Sequence, residues 1–339
     1  MHVSLALDSS DIPYVSYYDS AESALMYGYR TSGGWVTDVV DNSEAVGRHS
    51  SIALDQADHP HISYRDFTKN DLKYASWDGS QWNIAPVGSG EYGWNPSLAL
   101  DANDRPHISY LGNETGTGSQ TPKYAHWNGT QWDLAVIDNV FTSGGTSLAL
   151  DQAGNPHVSY HVAGELRYAV FTSTQWLTET VDSQAISGTL VGYYSAIALD
   201  EMDTAHFSYA AYGQDFSPPF PDDLKYAVGQ SGTWQLAPVD TVGGVGFFSD
   251  IALDASHQAH ISYYDSDNQA IKYARQDGMD WTAEFVDSPV STDGYTSIAI
   301  DQEGLPHIAY CDGVSQTIKY AHLVYRNFYP LIQMSSTTR

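Results

Sequence analysis

Short stretches in which apolar residues alternate with small or polar ones return along this chain at a nearly constant interval. One of them, Ser51-Ile52-Ala53-Leu54-Asp55, leads through a polar link to Pro60-His61-Ile62-Ser63-Tyr64, then to Leu72-Lys73-Tyr74-Ala75 and to a segment from Trp82 to Val87. Alternation with a period of two marks a strand whose two faces meet different surroundings. The four-segment unit occurs seven times, starting near residues 4, 51, 97, 147, 196, 250 and 297, so successive units are 47, 46, 50, 49, 54 and 47 residues long. A period in that range, carried from residue 4 to about residue 333, predicts one repetitive domain over residues 1–339.

Residue types assign the strands within each unit. Small side chains in the first segment suit a crowded innermost strand. The turn behind it, Gln56-Ala57-Asp58-His59-Pro60 or Gln152-Ala153-Gly154-Asn155-Pro156, is short enough for a tight antiparallel hairpin. An Asp ends the first strand in all seven units (Asp8, Asp55, Asp101, Asp151, Asp200, Asp254, Asp301) and reads as a cap for the turn amides. The third segment carries a Tyr in every unit, and the fourth opens with a Trp in six. Four strands per unit, seven units and no helical pattern predict an all-β, seven-bladed β-propeller with four antiparallel strands per blade. A strand ending in Asp, a Gly/Asn turn and an aromatic-rich strand, recurring in this way, resemble the bacterial propeller repeats of the NHL and BNR (sialidase-like) kind. That resemblance implies a fold and no particular activity.

The seventh unit departs from the pattern. Phe328 stands where the other units place Trp, and Tyr329-Pro330-Leu331-Ile332 follows. Residues 325–339 are read as a degenerate last strand and tail, with Pro330 tolerable on an outer edge. The chain begins on an inner strand, so the ring is expected to close by face packing without an exchanged strand. A tail docked elsewhere would instead pair with the edge of a neighbouring molecule.

Charge narrows the partners. Against 41 Asp and Glu stand 14 Lys and Arg, a formal charge of -27, which opposes nucleic acid and anionic membrane surfaces by long-range repulsion. Lys73, Lys123, Lys225, Lys272 and Lys319, with Arg167, fill the slot before the repeat Tyr and leave only Lys69 outside it, so no basic patch can be assembled. Cys311, the single cysteine, rules out a disulfide framework and a cysteine zinc site. No apolar run approaches the ~18 residues that a membrane-spanning helix needs. Met1-His2-Val3 runs into the first strand without a signal peptide, yet abundant Tyr, Trp, Ser, Asn and Gly with little Lys point to an extracellular or cell-surface protein.

Links from the fourth strand to the next first strand, and from the second to the third, should emerge on one face of the disc. They vary most after Tyr110 (Gly112 to Pro122, with Glu114) and after Tyr209 (Tyr212 to Asp223, with Phe216 and Pro218-Pro219-Phe220-Pro221), and variable loops on a repetitive scaffold are where function is placed. The links between blades carry Gly47-Arg48-His49, Gly93-Trp94-Asn95, Gly192-Tyr193-Tyr194, Gly246-Phe247-Phe248 and Gly294-Tyr295. With Tyr92 and Phe141 these residues are candidates to line a funnel around the central channel. Aromatic planes beside Asp, Asn and His suit sugar rings, whose C–H faces stack while their hydroxyls take hydrogen bonds. Arg48, His49, Tyr92, Trp94, Tyr193, Tyr194, Phe247, Phe248 and Tyr295 form the candidate ligand site for a glycan or protein, and Trp94, Arg48 and His49 are the preferred contacts. The opposing reading is that the residue after each Gly packs against the neighbouring blade.

Other chemistry is less supported. His61, His107, His157, His206, His260 and His307 fill one repeat slot, and equal spacing around a disc keeps them too far apart to share an ion; they are read as hydrogen-bonded to a turn or to the strand-end Asp. No cofactor or metal is expected, with calcium the one ion left in play by the acidic turn Asp265-Ser266-Asp267-Asn268 and its counterparts Asp19, Asp66 and Asp312. A solvated turn paired with the repeat Lys is the preferred reading there. A sialidase would need an arginine trio, but Arg30, Arg48, Arg65, Arg105, Arg167, Arg275, Arg326 and Arg339 fall in different repeat slots and the Asp-box is absent. Glu44, Glu91, Glu114 and Glu165 lie outside the repeat slots, where a carboxylate pair could arise.

The expected function is non-enzymatic: an extracellular binding or adhesion propeller that recognises a glycan or protein on its loop-bearing face. Two alternatives stay open. One is a structural subunit of a homo-oligomer or filament, and the other is a polysaccharide hydrolase or lyase.

Overall fold

Twenty-eight strands fall into seven sheets, each built from four consecutive antiparallel strands, and no helix occurs among the described residues. The structure is a computed structural model and describes residues 2–88, 90–113, 120–142, 144–183, 189–213, 222–290, 295–313, 315–324 and 327–334. Blade two shows the plan, running from an innermost strand Val46–Leu54 through Pro60–Asp66 and Asp71–Trp77 to an outer strand Trp82–Gly88. Its second strand is buried along its whole length, because it has a blade packed on each face. The first innermost strand, Val3–Leu7, packs on the last, Thr296–Ile300, and closes the ring into a seven-bladed propeller. Among the described residues no strand is exchanged at that seam, and Asn327–Met334 pairs with Thr317–Val324 as the outer strand of blade seven.

Recurrent polar residues hold neighbouring blades together in concentric sets. Nearest the axis, Ser4, Ser51, Ser97, Ser147 and Ser297 each accept, at 3.1–3.2 Å, the backbone amide of the next blade's innermost strand. A second set joins the second-strand Ser of five blades to a hydroxyl of the following blade, as in Ser16 to Ser50, Ser109 to Thr146 and Ser262 to Thr296, whereas for Ser63 that slot holds Pro96 and its hydroxyl is left without a partner. At the seam the same slots hold Ala309 and Val3, which pack in one apolar cluster. Farther out, six of the third-strand Tyr meet the next blade's Trp edge-on at 5.0–5.4 Å, for example Tyr74 with Trp132, and across the seam Tyr320 with Trp35.

The strand-end Asp and the repeat His act within each blade. Asp55 Oδ1 accepts the Ala57 and His59 amides of the turn, and Oδ2 faces His61 Nε2 at 3.4 Å. On the far side of the ring the His Nδ1 meets the hydroxyl of the third-strand Tyr, at 2.5–2.6 Å for His107, His157, His206, His260 and His307. Burial lowers the pKa of all six of these histidines, to about 4 for His107 and His307, so each is a neutral imidazole held to its Tyr, with Nε2 at 3.2–3.8 Å from the Asp carboxylate.

The repeat Lys has a different principal partner from the one its sequence position suggests. Lys73 and Tyr64 both bond Asp41, which ends the outer strand of the preceding blade. Lys123 with Tyr110 takes Glu91, Lys225 with Tyr209 takes Asp182, Lys272 with Tyr263 takes Asp240, and Lys319 with Tyr310 takes Asp287. Arg167 turns instead to Glu165 at 3.0 Å. The acidic turns are also not solvated: Asp19, Asp66, Asp265 and Asp312 are buried, because their carboxylates cap the amides of their own turns. Lys272 and Lys319 reach Asp265 and Asp312 as second partners at 3.6 and 3.0 Å.

Candidate functional site

The stretch before each innermost strand decides what faces the channel. In blade two Val46 pairs with Asp66, Arg48 with Arg65 and Ser51 with Ser63, so the strand carries extra residues at Gly47 and again at His49-Ser50. Blades five and six repeat this double bulge at Val191–Ala196 and Val245–Asp250, and blade three has its second half at Trp94–Ser97. A bulge bends its strand and re-aims a side chain. Here it puts His49, Asn95, Tyr194 and Phe248 at φ of 54°, 45°, 52° and 53°, a conformation in which large L-residues are held only by their surroundings. Glycine one step earlier is required by close approach: a Cβ on Gly47 would lie 2.5 Å from Leu25 Cα of the preceding blade, and one on Gly192 2.6 Å from Leu166 Cα.

The bulged position is the one that lines the channel. His2, His49, Asn95, Gly145, Tyr194, Phe248 and Tyr295, one per blade, surround the mouth of a cavity of about 370 Å³. Five of their rings run in contact along an arc, with centroids 4.4 Å apart for Tyr194 and Phe248, 4.1 Å for Phe248 and Tyr295, 3.8 Å for Tyr295 and His2, and 3.7 Å for His2 and His49. Asn95 and Gly145 leave the arc open over blades three and four. Below lies the inner hydroxyl ring, in which Asp250 is the one carboxylate among the described lining residues.

Arg48, Trp94, Tyr193 and Phe247, the residues directly after the glycines, stay in register with the second strands and pack between blades. Arg48 lies over Tyr18 and Phe67, at 5.1 and 4.7 Å. Trp94 covers the Arg65 guanidinium at 3.5 Å and touches His49 edge-on at 5.2 Å. Tyr193 stacks on His161 and Tyr212 and also reaches the edge of the central cavity, and Phe247 faces Tyr212. Tyr92 is half-buried beside the same link and does not line the cavity, and Phe141 stands exposed at a separate cleft with His161 and Tyr193. Glu91 and Glu165 are taken up by Lys123 and Arg167, and Glu44 sits on an exposed turn. Glu114, Phe216 and the run from Pro218 to Pro221 lie outside the described residues.

Electrostatics at the mouth follow from burial. Burial first, then Arg65, lowers the His49 pKa to about 3, and burial with His49 nearby holds His2 well below the ordinary range. Both rings are therefore neutral at physiological pH. His2 Nε2 and His49 Nδ1 are buried without a hydrogen-bond partner, and Arg65, 2% exposed, leaves its Nε and Nη1 unpaired. Burial raises the Asp250 carboxyl above its usual value. His2, Gly145 and Asp250 escape a reading of the glycine pattern alone. Counting two residues back from each innermost-strand start finds His2 and Gly145 with the rest.

No protein-family model matches the chain, and no curated protein is significantly similar to it. Solved structures do match. The Aleuria aurantia lectin in complex with Fucα1-6GlcNAc is 13% identical, with 86% of this chain and 97% of that one covered and a TM-score of 0.54. The α-L-arabinanase of Penicillium chrysogenum complexed with arabinobiose is 10% identical over 81% of this chain and 92% of that one, at a TM-score of 0.56. The polysaccharide lyase Uly1 is 10% identical over 96% and 87%, at 0.55. At these identities the likeness is one of fold.

Proposed function

We propose that this protein binds carbohydrate at the channel mouth and performs no chemistry on it. The observation that carries this reading is the arc of Tyr194, Phe248, Tyr295, His2 and His49, half-buried rings turned toward a cavity by backbone that is strained at three of the five. Ring faces offer stacking surface to sugar C–H groups, and the Asn95 side chain in the gap of the arc offers hydrogen-bonding groups to hydroxyls. A cavity of about 370 Å³ falls at the small end of ligand pockets and suits one or two sugar units at the end of a chain. Saccharide-bound propellers among the matching folds agree with this reading.

Glycoside hydrolysis by the common route needs two carboxyl groups about 5–10 Å apart across the bond that breaks. Asp250 stands alone in the described lining, which favours recognition over cleavage. An exported, cell-surface setting accords with such a role. The test is a glycan array followed by calorimetry on the strongest hits, with Phe248→Ala alongside. Saccharide binding that Phe248→Ala weakens supports the proposal; a blank array, or release of reducing or unsaturated ends from a polysaccharide panel, overturns it.

A further inference from the structure

Blade seven breaks the His–Asp–Tyr pattern in a way that builds a second kind of site. In every blade the residue across from the repeat His slot lies on the third strand: Tyr29, Ser76, His126, Val170, Val228, Arg275 and His322. His59 reaches Asp55 at 3.4 Å from its turn and His257 reaches Asp200 at 3.7 Å from the next blade, but among the described residues only blade seven brings the second imidazole from the third strand of the same blade. His307 Nε2 is 3.2 Å and His322 Nε2 3.6 Å from Asp301 Oδ2, and the three atoms all lie within 4.8 Å of one another. In blade three the corresponding His126 turns away, toward Asp133 at 3.8 Å. Among the described residues this is the one group of three such donors.

We propose that Asp301, His307 and His322 bind a zinc ion. Zinc takes imidazole nitrogen and carboxylate oxygen at about 2.0–2.2 Å, and tetrahedral angles then separate neighbouring ligand atoms by about 3.3 Å. The two measured separations bracket that value. The remaining atoms of the set are already committed in the sense a ligand requires. Asp301 Oδ1 accepts the Glu303 and Leu305 amides, which fixes the carboxylate with Oδ2 turned toward both imidazoles. His307 Nδ1 meets the Tyr320 hydroxyl at 2.6 Å, an outer contact of the kind that orients metal-bound imidazoles. His322 Nε2 is buried without a hydrogen-bond partner, and its ring lies 4.1 Å from that of His307.

Of the charged groups around the trio, Glu303 favours a cation and Arg30, 5.8 Å over the Tyr320 ring, opposes it. Imidazole donors select a transition ion over calcium. Three protein ligands leave a fourth position for water. The ion would tie together the three inner strands of the last blade beside the ring seam, where Met26 takes the place of the stapling Lys.

The experiment uses the full chain without a histidine tag, freed of metal by chelation, and titrates zinc by calorimetry and cobalt(II) by its visible ligand-field absorption. His322→Val is the informative variant because blades four and five carry Val170 and Val228 at this register. His126→Val is the control. Expected are one equivalent of zinc, tetrahedral cobalt absorption, a rise in Tm with zinc, and at least about a tenfold loss of affinity in His322→Val with none in His126→Val. No zinc uptake by the parent chain, or unchanged affinity in a folded His322→Val, overturns the assignment.

Discussion

Asp250 supplies the hydrogen-bond acceptor that Ala196 lacks. Five blades put a Ser at this position, and each Ser caps the amide of the next blade. Ala196 has no hydroxyl to offer Ile251, so Asp250 Oδ1 takes its own neighbour's amide at 3.0 Å while Oδ2 takes the Ile298 amide at 2.9 Å. Asp250→Ser alone strands the Ile251 N–H and is expected to cost about 1–2 kcal/mol. Adding Ala196→Ser rebuilds the ring and recovers that loss. Denaturant unfolding of the four proteins in a double-mutant cycle checks the relationship, and strictly additive effects would refute it.

The same carboxylate imposes a pH dependence of definite sign. Burial raises the folded-state pKa of Asp250 above the unfolded value near 3.9. Its ionisation therefore weakens the fold as pH climbs from the unfolded pKa through the folded one, and the cost is complete above both. The doubly substituted Ala196→Ser, Asp250→Ser protein should gain on the parent at pH 7 and lose that advantage near pH 3.5. Unfolding curves at the two pH values decide it.

Asp41 runs the other way. Burial pushes it up, but Lys73, Ser43 and Tyr64 overcome that and hold it at about 2. Its stabilisation is present above the unfolded pKa and is lost as pH falls from about 4 toward 2. Lys73→Met copies Met26 of blade one but leaves Asp41 buried beside Tyr64 without its cation, at an expected cost of about 3 kcal/mol at pH 7. Urea unfolding at pH 7 and pH 3 should show that cost shrinking with acid.

If the channel mouth holds a saccharide, Tyr194→Ala and Phe248→Ala should each weaken binding by about tenfold or more, as central aromatic contacts do. Affinity should be level between pH 5 and pH 8, because His49 stays neutral down to about 3 and His2 is also depressed. Calorimetry across that range checks both points.

Trp94 should behave differently from the arc. It covers a buried Arg65 at 3.5 Å, so Trp94→Ala is expected to cost about 2 kcal/mol of stability with a smaller effect on saccharide affinity than Phe248→Ala. Thermal unfolding beside calorimetry separates the two effects.

Strand order, blade number and the capping role of the strand-end Asp were legible in the chain because they depend on local alternation and on turns of a few residues. The slot that repeats as His61 and His107 could likewise be assigned to its own blade's Asp, six residues away. Two things could not be read that way. Lys73 finds Asp41 32 residues back, in the neighbouring blade, since only the ring geometry brings an outer-strand end against the next third strand. Of the pair Phe247-Phe248 it is the second member that enters the channel, and Tyr194 joins it there with Tyr193 at the edge, because a bulge inserts one residue and changes which side chain points inward. Alternation along a strand is written in the sequence, but the place where that alternation slips is decided by the packing of one blade on the next.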